Sequence, residues 1–138
     1  ASRGSMAGRL SVDTSFLIDL QRERRGSHKG AAHLLLEADS EVELFLSAVA
    51  LGEFAEGFSD PEHPILRAVR EQHVILPVDE AVALRYGALT RSLRNQGRLI
   101  GSNDLWIAAT SLRHDLPLAT ANVRQFRRIE GLDVVGYR

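Results

Sequence analysis

Apolar residues follow two alternating patterns along this chain. Short apolar runs, typical of strands, occupy residues 10–13, 42–46, 74–78, 116–120 and 134–135, and the run at 74–78 is predicted to be a buried strand. Between these runs, apolar residues recur every three or four positions, which predicts helices. The predicted helices cover about 15–24, 31–38, 79–96, the stretch around Asp104 to about 114, and 122–127, with two more between 46 and 74.

Glycine and proline positions set the boundaries of several predicted helices. Gly57 and Pro61 are expected to end the helix that follows residues 42–46, and Pro64 can begin the next one. Gly97 is expected to stop the long helix that Asp79 caps. Strands that alternate with helices predict a three-layer α/β fold with a mainly parallel sheet.

The length of 138 residues fits one domain with an ordinary core, assigned to residues 6–138. Residues 1–5, ahead of Met6, are interpreted as a cloning remnant. The chain has no cysteine, which excludes disulfides, thiolate catalysis and cysteine-based zinc sites. No apolar run approaches the roughly 18 residues of a membrane span, so no membrane partner and a cytoplasmic setting are expected.

Charge is distributed unevenly along the chain. The net charge is −1, but residues 1–84 carry 8 basic and 14 acidic side chains, whereas residues 85–138 carry 9 basic and 4 acidic ones. Such asymmetry is compatible with an anion-binding face or with an ordinary solvated surface. Lys29 is the single lysine among 17 basic side chains, so arginine is the residue available for phosphate contacts.

Three acidic residues follow predicted strands or begin predicted helices. Asp13 ends the first strand, Glu53 lies early in the helix after the second, and Asp104 lies in the first turn of its helix. For Asp104 alone, a favourable interaction with the helix dipole is a sufficient explanation, with Ser102 or Asn103 as the expected cap. Because sites in open α/β sheets form at the carboxyl ends of strands, the three acids can instead converge there.

Converging carboxylates repel one another unless they are protonated or bridged by a cation. Mg²⁺ prefers oxygen ligands, and it commonly uses one or two carboxylates together with waters and substrate phosphate. A metal held in this way can activate water and stabilise the charge that develops on a phosphodiester. Acids without a nucleophilic serine, cysteine or histidine therefore favour metal-assisted hydrolysis.

Four motifs follow one another along the chain: Asp13-Thr14-Ser15, Gly52-Glu53, the stretch from Asn103 to Thr110, and the stretch from Leu118 to Phe126. In this order they resemble the PIN-domain family, most closely the VapC-type toxins of bacterial toxin–antitoxin pairs. The resemblance implies a PIN-like three-layer α/β/α fold with a mainly parallel central sheet. It also implies a Mg²⁺-dependent ribonuclease, with Mn²⁺ as the alternative ion, that leaves 5′-phosphate and 3′-hydroxyl ends.

The resemblance assigns roles to particular side chains. Asp13 and Asp104 are expected to be metal ligands, and Glu53 a ligand or the base that positions the attacking water. The fourth family position is often aspartate but is Asn122 here, which removes one charge and leaves the number of metals open. Three residues next to these positions are expected to donate hydroxyl hydrogen bonds to the metal ligands, or else to act as caps: Thr14, Ser15 and Thr120. Asp19 and Glu23 are interpreted as solvated helix charges.

The substrate and partners also follow from the resemblance. Six arginines are candidates for RNA phosphate contacts: Arg91, Arg94 and Arg98, which share a helix face if the helix continues past Gly97, and Arg124, Arg127 and Arg128. A small cognate antitoxin is expected to cover the acidic groove, and the chain is expected to form a homodimer. Apolar side chains expected either in these contacts or in the core are Leu34, Leu35, Phe54 and Phe58.

Two alternative functions stay open at this point. A PIN-family nuclease of RNA maturation would use the same acids without a toxin role. A catalytically weakened PIN-fold binding module is the non-enzymatic alternative, because Asn122 departs from the acidic pattern.

Overall fold

The computed structural model describes residues 8–26 and 29–138, so the expected cloning remnant at residues 1–5 lies outside the described part. Five strands are described: β1 Arg9–Val12, β2 Glu43–Ser47, β3 Val74–Leu76, β4 Leu118–Thr120 and β5 Val134–Gly136. Seven helices are described in the same ranges: α1 Thr14–Arg25, α2 Ala31–Glu37, α3 Ala48–Ala55, α4 Pro64–Gln72, α5 Glu80–Asn95, α6 Ser102–Arg113 and α7 Val123–Phe126. All elements predicted from the sequence are present, with ends shifted by a few residues.

The strands form one parallel sheet in the order β3-β2-β1-β4-β5. In the register of the central strands, Val12 lies opposite Leu46 on one side and Ala119 on the other. The residues that follow β1, β2 and β4 therefore emerge at one edge of the sheet. The predicted three-layer α/β/α fold with a parallel central sheet is confirmed.

The main core packs apolar side chains of the central strands against the surrounding helices. Val12, Leu46 and Leu118 are almost completely buried in the sheet, and Phe16 of α1 and Phe126 of α7 are fully buried against it. Because β1 and β4 contribute these buried residues directly before the acidic edge, core packing fixes the backbone from which the polar side chains project.

The third strand differs from the prediction of a buried strand over residues 74–78. It ends at Leu76, and both Val74 and Val78 are 42% exposed. The reason is its place at the edge of the sheet, where only β2 pairs with it. The apolar run therefore marks a strand whose outer residues stay accessible to solvent.

Gly97 ends α5, as predicted, by adopting a left-handed conformation with φ of 67°. The Gly97 backbone N–H donates to Arg94 O at 3.0 Å, and the Arg98 N–H donates to Leu93 O at 2.8 Å. These two bonds form a Schellman motif, which satisfies carbonyl groups at the helix end. The predicted continuous stripe of Arg91, Arg94 and Arg98 is therefore broken, because Arg98 lies beyond the helix.

The interpretation of Asp19 as a solvated helix charge is wrong. Asp19 is only 8% exposed, and its carboxylate accepts hydrogen bonds from Tyr137 Oη at 2.5 Å and from Arg138 Nε and Nη2 at 3.1 and 3.0 Å. Burial raises the pKa of Asp19, but the bonds from Arg138 and Tyr137 outweigh it and hold the pKa below its ordinary value. The contact joins α1 to the segment that follows β5.

Glu23 is also not a solvated charge, because its carboxylate caps the next helix. Glu23 oxygens accept from the backbone N–H groups of Gly30, Ala32 and His33 at 3.0–3.1 Å, and His33 Nδ1 lies 2.6 Å from Oε1. Gly30, the N-cap residue of α2, has no side chain for this purpose. Burial raises the pKa of Glu23, but these hydrogen bonds lower it overall from 4.5 to about 2.

Among the described residues, the helices include none whose length and apolarity would allow it to cross a membrane.

The cap formed by Glu23 predicts a pH-dependent contribution to stability. We expect Glu23→Gln to lower the free energy of unfolding at pH 7 by about 1–2 kcal/mol, because the charged acceptor of several buried N–H groups is removed. The folded-state pKa is depressed, so this stabilisation is complete above pH 4.5 and is lost as the pH falls towards 2. Urea unfolding at pH 7 and pH 3 measures the difference.

The matched control is Glu71→Gln, which neutralises an exposed glutamate on α4. We expect it to change stability by less than about 0.5 kcal/mol at both pH values. A Glu23→Gln effect of the same size at pH 7 and pH 3 would contradict the charged cap.

Candidate functional site

Asp13 lies at the junction of β1 and α1 and is 4% exposed. Its Oδ1 accepts hydrogen bonds from the Phe16 backbone N–H at 3.1 Å and from Ser15 Oγ at 2.7 Å. Its Oδ2 accepts from Thr120 Oγ1 at 2.5 Å. Asp13 thus caps α1, and its side-chain orientation is fixed from both sides.

The hydroxyls that bind Asp13 also join the ends of β1 and β4. Thr120 Oγ1 accepts from the Asn122 backbone N–H at 2.9 Å, and Ser15 Oγ accepts from the Ala121 N–H at 3.1 Å. Each hydroxyl therefore donates to the carboxylate and accepts from the backbone after β4. This arrangement fixes the hydroxyl protons on the carboxylate side, which is the geometry that orients a metal ligand.

Glu53, on α3, is held by side chains from two other helices. Its Oε1 accepts from Thr14 Oγ1 at 2.6 Å, and its Oε2 accepts from Asn103 Nδ2 at 2.9 Å. Thr14 is the first residue of α1 and Asn103 the second of α6. Glu53 therefore joins the starts of the two helices that carry or follow the other acids.

Asn103 is a site residue that sequence reasoning assigned wrongly. It and Ser102 were expected to cap α6, but the N-cap residue is Gly101, which has no side-chain cap. The Asn103 amide instead donates to Glu53, 50 residues away in sequence. The one available signal was its position directly before Asp104, which does not distinguish a cap from a contact across the site.

Asp104 lies half-buried in the first turn of α6, and the other two acids affect its titration. Its pKa is raised from 3.8 to about 6 by burial, the largest cause, together with the negative charges of Glu53 and Asp13. Burial also raises the pKa of Asp13, despite its three hydrogen bonds, and the charge of Glu53 adds to that shift. The three carboxylates thus lie within electrostatic range of one another at one edge of the sheet.

The donor set fits Mg²⁺ held by few protein ligands. Within residues 8–26 and 29–138, no lysine or arginine forms an ion pair with Asp13, Glu53 or Asp104. No three carboxylate or histidine side chains in those ranges are grouped as a ready metal site. Mg²⁺ needs no such group, because one or two carboxylates with waters and phosphate suffice. Asp13 and Asp104, both destabilised as anions, are the side chains that would hold it.

Asn122 follows β4, and its side-chain amide binds Gln125. Its side chain is exposed, and Nδ2 donates to Gln125 Oε1 at 3.0 Å, while its backbone N–H binds Thr120. The backbone of Asn122 thus supports the residue that orients Asp13. Its expected role as a ligand or as a holder of a water stays a prediction.

The six candidate arginines separate into two groups. Arg98, Arg124, Arg127 and Arg128 line two adjoining cavities between the end of α5 and the segment after α7. Arg91 and Arg94 are exposed on α5 and line neither of these cavities.

An apolar groove of about 340 Å³ adjoins Glu53. We define the Glu53 groove by its lining residues: Ile18, Gln21, Arg25, Glu53, Phe54, Gly57, Phe58 and Ile65. Phe54 and Phe58 therefore belong to the groove as well as to the core. Leu34, which is 57% exposed, and Leu35, which packs on the core, do not line it.

Comparison with known proteins points to one family. The family model of the PIN domain matches residues 10–132. Ribonuclease VapC1 of Haemophilus influenzae strain R2866 is 34% identical over 123 residues, which cover 88% of this chain and 92% of that protein.

Solved structures show the same fold. The structure of VapBC-1 from nontypeable Haemophilus influenzae contains a chain that matches with a TM-score of 0.75 and 30% identity, over 94% of this chain and 98% of that one. A toxin–antitoxin complex from Klebsiella pneumoniae matches with a TM-score of 0.68 and 27% identity, over 91% and 95%. Since the family model and the relative both span most of the chain, this chain belongs to the PIN-domain family, in its VapC-type branch.

Proposed function

We propose that this chain is a Mg²⁺-dependent endoribonuclease and the toxin component of a toxin–antitoxin pair. The observation that carries the proposal is the group of Asp13, Glu53 and Asp104, which lie within electrostatic range of one another. Burial first, and then repulsion from the other two carboxylates, raises the pKa of Asp104 to about 6. A divalent cation offsets that repulsion, and Mn²⁺ is the alternative ion. The ribonuclease name of the VapC1 relative supports RNA as the substrate.

Each acid has a separate part in the proposed reaction. Asp13 and Asp104 would hold the metal, which when bound stabilises negative charge on a phosphodiester and favours loss of a proton from water. Glu53 is the candidate base: Thr14 and Asn103 fix its carboxylate, and its remaining lone pairs can accept a proton from the attacking water. Attack at phosphorus breaks the bond to the 3′ oxygen and gives 5′-phosphate and 3′-hydroxyl ends.

The Glu53 groove is the proposed binding site of the antitoxin. Its walls are apolar around Ile18, Phe54 and Phe58, and Glu53 is also among its lining residues. An apolar segment with a basic side chain at one end matches this arrangement, because the cation can approach the acids while apolar contacts hold the segment. Toxin–antitoxin complexes among the structural neighbours support such a partner. The homodimer and the cytoplasmic setting stay predictions.

A catalytically weakened binding module is the second candidate, and the orientation of the Asn122 amide towards Gln125 favours it. It predicts RNA or protein binding without cleavage. An RNA-maturation nuclease shares the chemistry of the main proposal and differs from it in lacking an antitoxin.

The metal proposal predicts linked effects on stability and cleavage. Asp104→Asn removes a destabilised anion, so we expect this variant to have a higher melting temperature than the wild type at pH 7 without metal. Adding Mg²⁺ should raise the melting temperature of the wild type and leave that of the variant unchanged. Asp104→Asn, Asp13→Asn and Glu53→Gln should each lower kcat/KM for RNA by about 100-fold or more. Thermal unfolding and gel-resolved cleavage, each with Mg²⁺ and with EDTA, provide the measurements.

Glu56→Gln is the matched control, because Glu56 is exposed directly after α3, close to Glu53. It should cleave like the wild type. Cleavage that persists in EDTA, or that survives Asp13→Asn or Asp104→Asn, would overturn the proposal. A wild type that binds RNA without cutting it in Mg²⁺ or Mn²⁺ would favour the weakened module.

The hydroxyls around Asp13 predict a smaller loss of function. We expect Thr120→Val and Ser15→Ala each to weaken Mg²⁺ affinity by about 10- to 100-fold, because Asp13 loses an orienting hydrogen bond while its charge is kept. Calorimetric titration of Mg²⁺ measures the affinity. Excess Mg²⁺ should restore most of the cleavage rate in these variants and not in Asp13→Asn, and equal behaviour of all three would contradict an orienting role.

The groove proposal predicts that Ile18→Asp reduces antitoxin affinity at least about tenfold, because Ile18 is 39% exposed and lines the groove. The partner to test is the cognate antitoxin of the proposed pair, co-expressed with this chain. Leu84→Asp is the control, since Leu84 is 71% exposed on α5 and lies outside the groove. Equal affinities of the two variants would place the antitoxin elsewhere.

A further inference from the structure

Two cavities adjoin one another beside the end of α5. The larger, of about 610 Å³, is lined by residues of α5 together with Arg98, Arg127, Arg128, Glu130 and Gly131. The smaller, of about 290 Å³, is lined by Gly97 and by three arginines, Arg98, Arg124 and Arg128. We call the smaller one the arginine pocket. Arg98 and Arg128 line both cavities, so the two share a wall.

The backbone of Arg98 has a defined place in this pocket. The chain turns at Gly97 in a Schellman motif, which uses the left-handed conformation of that glycine. In this motif the Arg98 N–H donates to Leu93 O at 2.8 Å. The side chain of Arg98 therefore starts from a backbone position fixed by the end of α5 rather than from a free loop.

Arg128 joins the two chain segments that form the pocket. Its Nη1 donates to Leu99 O at 3.1 Å, which links the segment after α7 to the loop between α5 and α6. That bond uses one of the five guanidinium N–H groups, so donors are left for a ligand. Arg128 therefore both shapes the pocket and keeps hydrogen-bonding capacity towards it.

Charge in the arginine pocket is of one sign. Its lining includes no carboxylate, because Glu130 lines only the larger cavity. In the described part of the chain, Arg98, Arg124 and Arg128 form no salt bridge. Guanidinium groups gathered in this way repel one another until an anion enters, and their planar donors match phosphate oxygens.

The pocket lies between two segments that each carry a residue of the acidic site. Arg124 follows Asn122 by two residues, and the Asn122 N–H binds the Thr120 hydroxyl that holds Asp13. On the other side, Arg98 precedes Asp104 by six residues, a stretch that spans at most ~22 Å. A nucleic-acid strand at the acidic site can thus reach the pocket within a few nucleotides.

We propose that the arginine pocket binds a backbone phosphate of the RNA strand, flanking the phosphate that is cleaved. The proposal rests on the proposed ribonuclease function and assigns its substrate contact to Arg98, Arg124 and Arg128 rather than to all six candidate arginines. Phosphate contacts of this kind set the position of a strand without reading its sequence. Binding energy from a flanking phosphate also raises kcat/KM only for substrates long enough to reach it.

The test compares pairs of substitutions that remove equal charge. Arg98→Ala with Arg124→Ala changes the pocket, and Arg67→Ala with Arg85→Ala removes two exposed helix arginines that line neither cavity. Affinity for a labelled single-stranded RNA is measured against salt concentration, with Asp104→Asn in every protein to prevent cleavage. We expect the pocket pair to reduce the salt slope by about 0.7, because each phosphate contact on a single strand contributes about 0.7 to it and the pocket holds one phosphate. The control pair should leave the slope unchanged.

Cleavage assays with Asp104 restored separate the pocket from the proposed function. We expect the pocket pair to lower kcat/KM about tenfold or more on a long RNA and to have little effect on the shortest RNA that is still cut. Arg124→Ala alone serves if the pair does not fold, since Arg124 is exposed and makes no side-chain bond within the described residues. A decrease in kcat/KM on the long RNA that is smaller than the decrease expected for the pair then supports the pocket.

The pocket is refuted, while the ribonuclease function stands, if the wild type cleaves RNA but the pocket pair behaves like the control pair. It is also refuted if Arg91→Ala with Arg94→Ala causes the same losses as the pocket pair. Equal loss on long and shortest RNA also overturns it, because the effect is then not that of a flanking contact. A wild type that cuts no RNA with Mg²⁺ or Mn²⁺ refutes the proposed function instead, and with it the substrate on which the pocket depends.

Discussion

Repulsion between Asp13, Glu53 and Asp104 is the constraint that organises this end of the molecule. Burial alone disfavours the anionic form of Asp13 and Asp104, and the neighbouring charges add to that cost. Hydrogen bonds from Ser15 and Thr120 hold Asp13 in place, and those from Thr14 and Asn103 hold Glu53, without neutralising either acid. The fold therefore maintains an anionic site whose charge a divalent cation would offset.

The fold tolerates the unfavourable free energy of these buried carboxylates because the polar contacts that hold them also stabilise the fold. Asp13 caps α1 while it points its carboxylate at Thr120, and Thr120 binds the backbone beyond β4 as well as the acid. The parallel register of β1 with β4 and β2 brings these junctions to one edge of the sheet. Fold and site thus share residues, so a substitution at Thr120 or Asp13 changes both packing and chemistry.

The sequence predicted those features that depend on local pattern. Apolar spacing predicted the order of strands and helices, and the short apolar run before Asp13 placed that acid at a strand end. Contacts between distant residues were not accessible in this way. Asp19 and Glu23 resemble ordinary helix charges, yet Tyr137 and Arg138 bind the first and the N-terminus of α2 binds the second. The bond from Asn103 to Glu53 is equally hidden from local pattern, because the two residues lie 50 positions apart.

A crystal structure with Mn²⁺, located by its anomalous scattering, tests whether the three acids form one cation site. The arrangement described here predicts an anomalous peak at the carboxyl edge of the sheet, in contact with Asp13 and Asp104 and with Glu53 beside it, that disappears in Asp104→Asn. Absence of a peak at that edge in the wild type, or a peak that persists in Asp104→Asn, would contradict it.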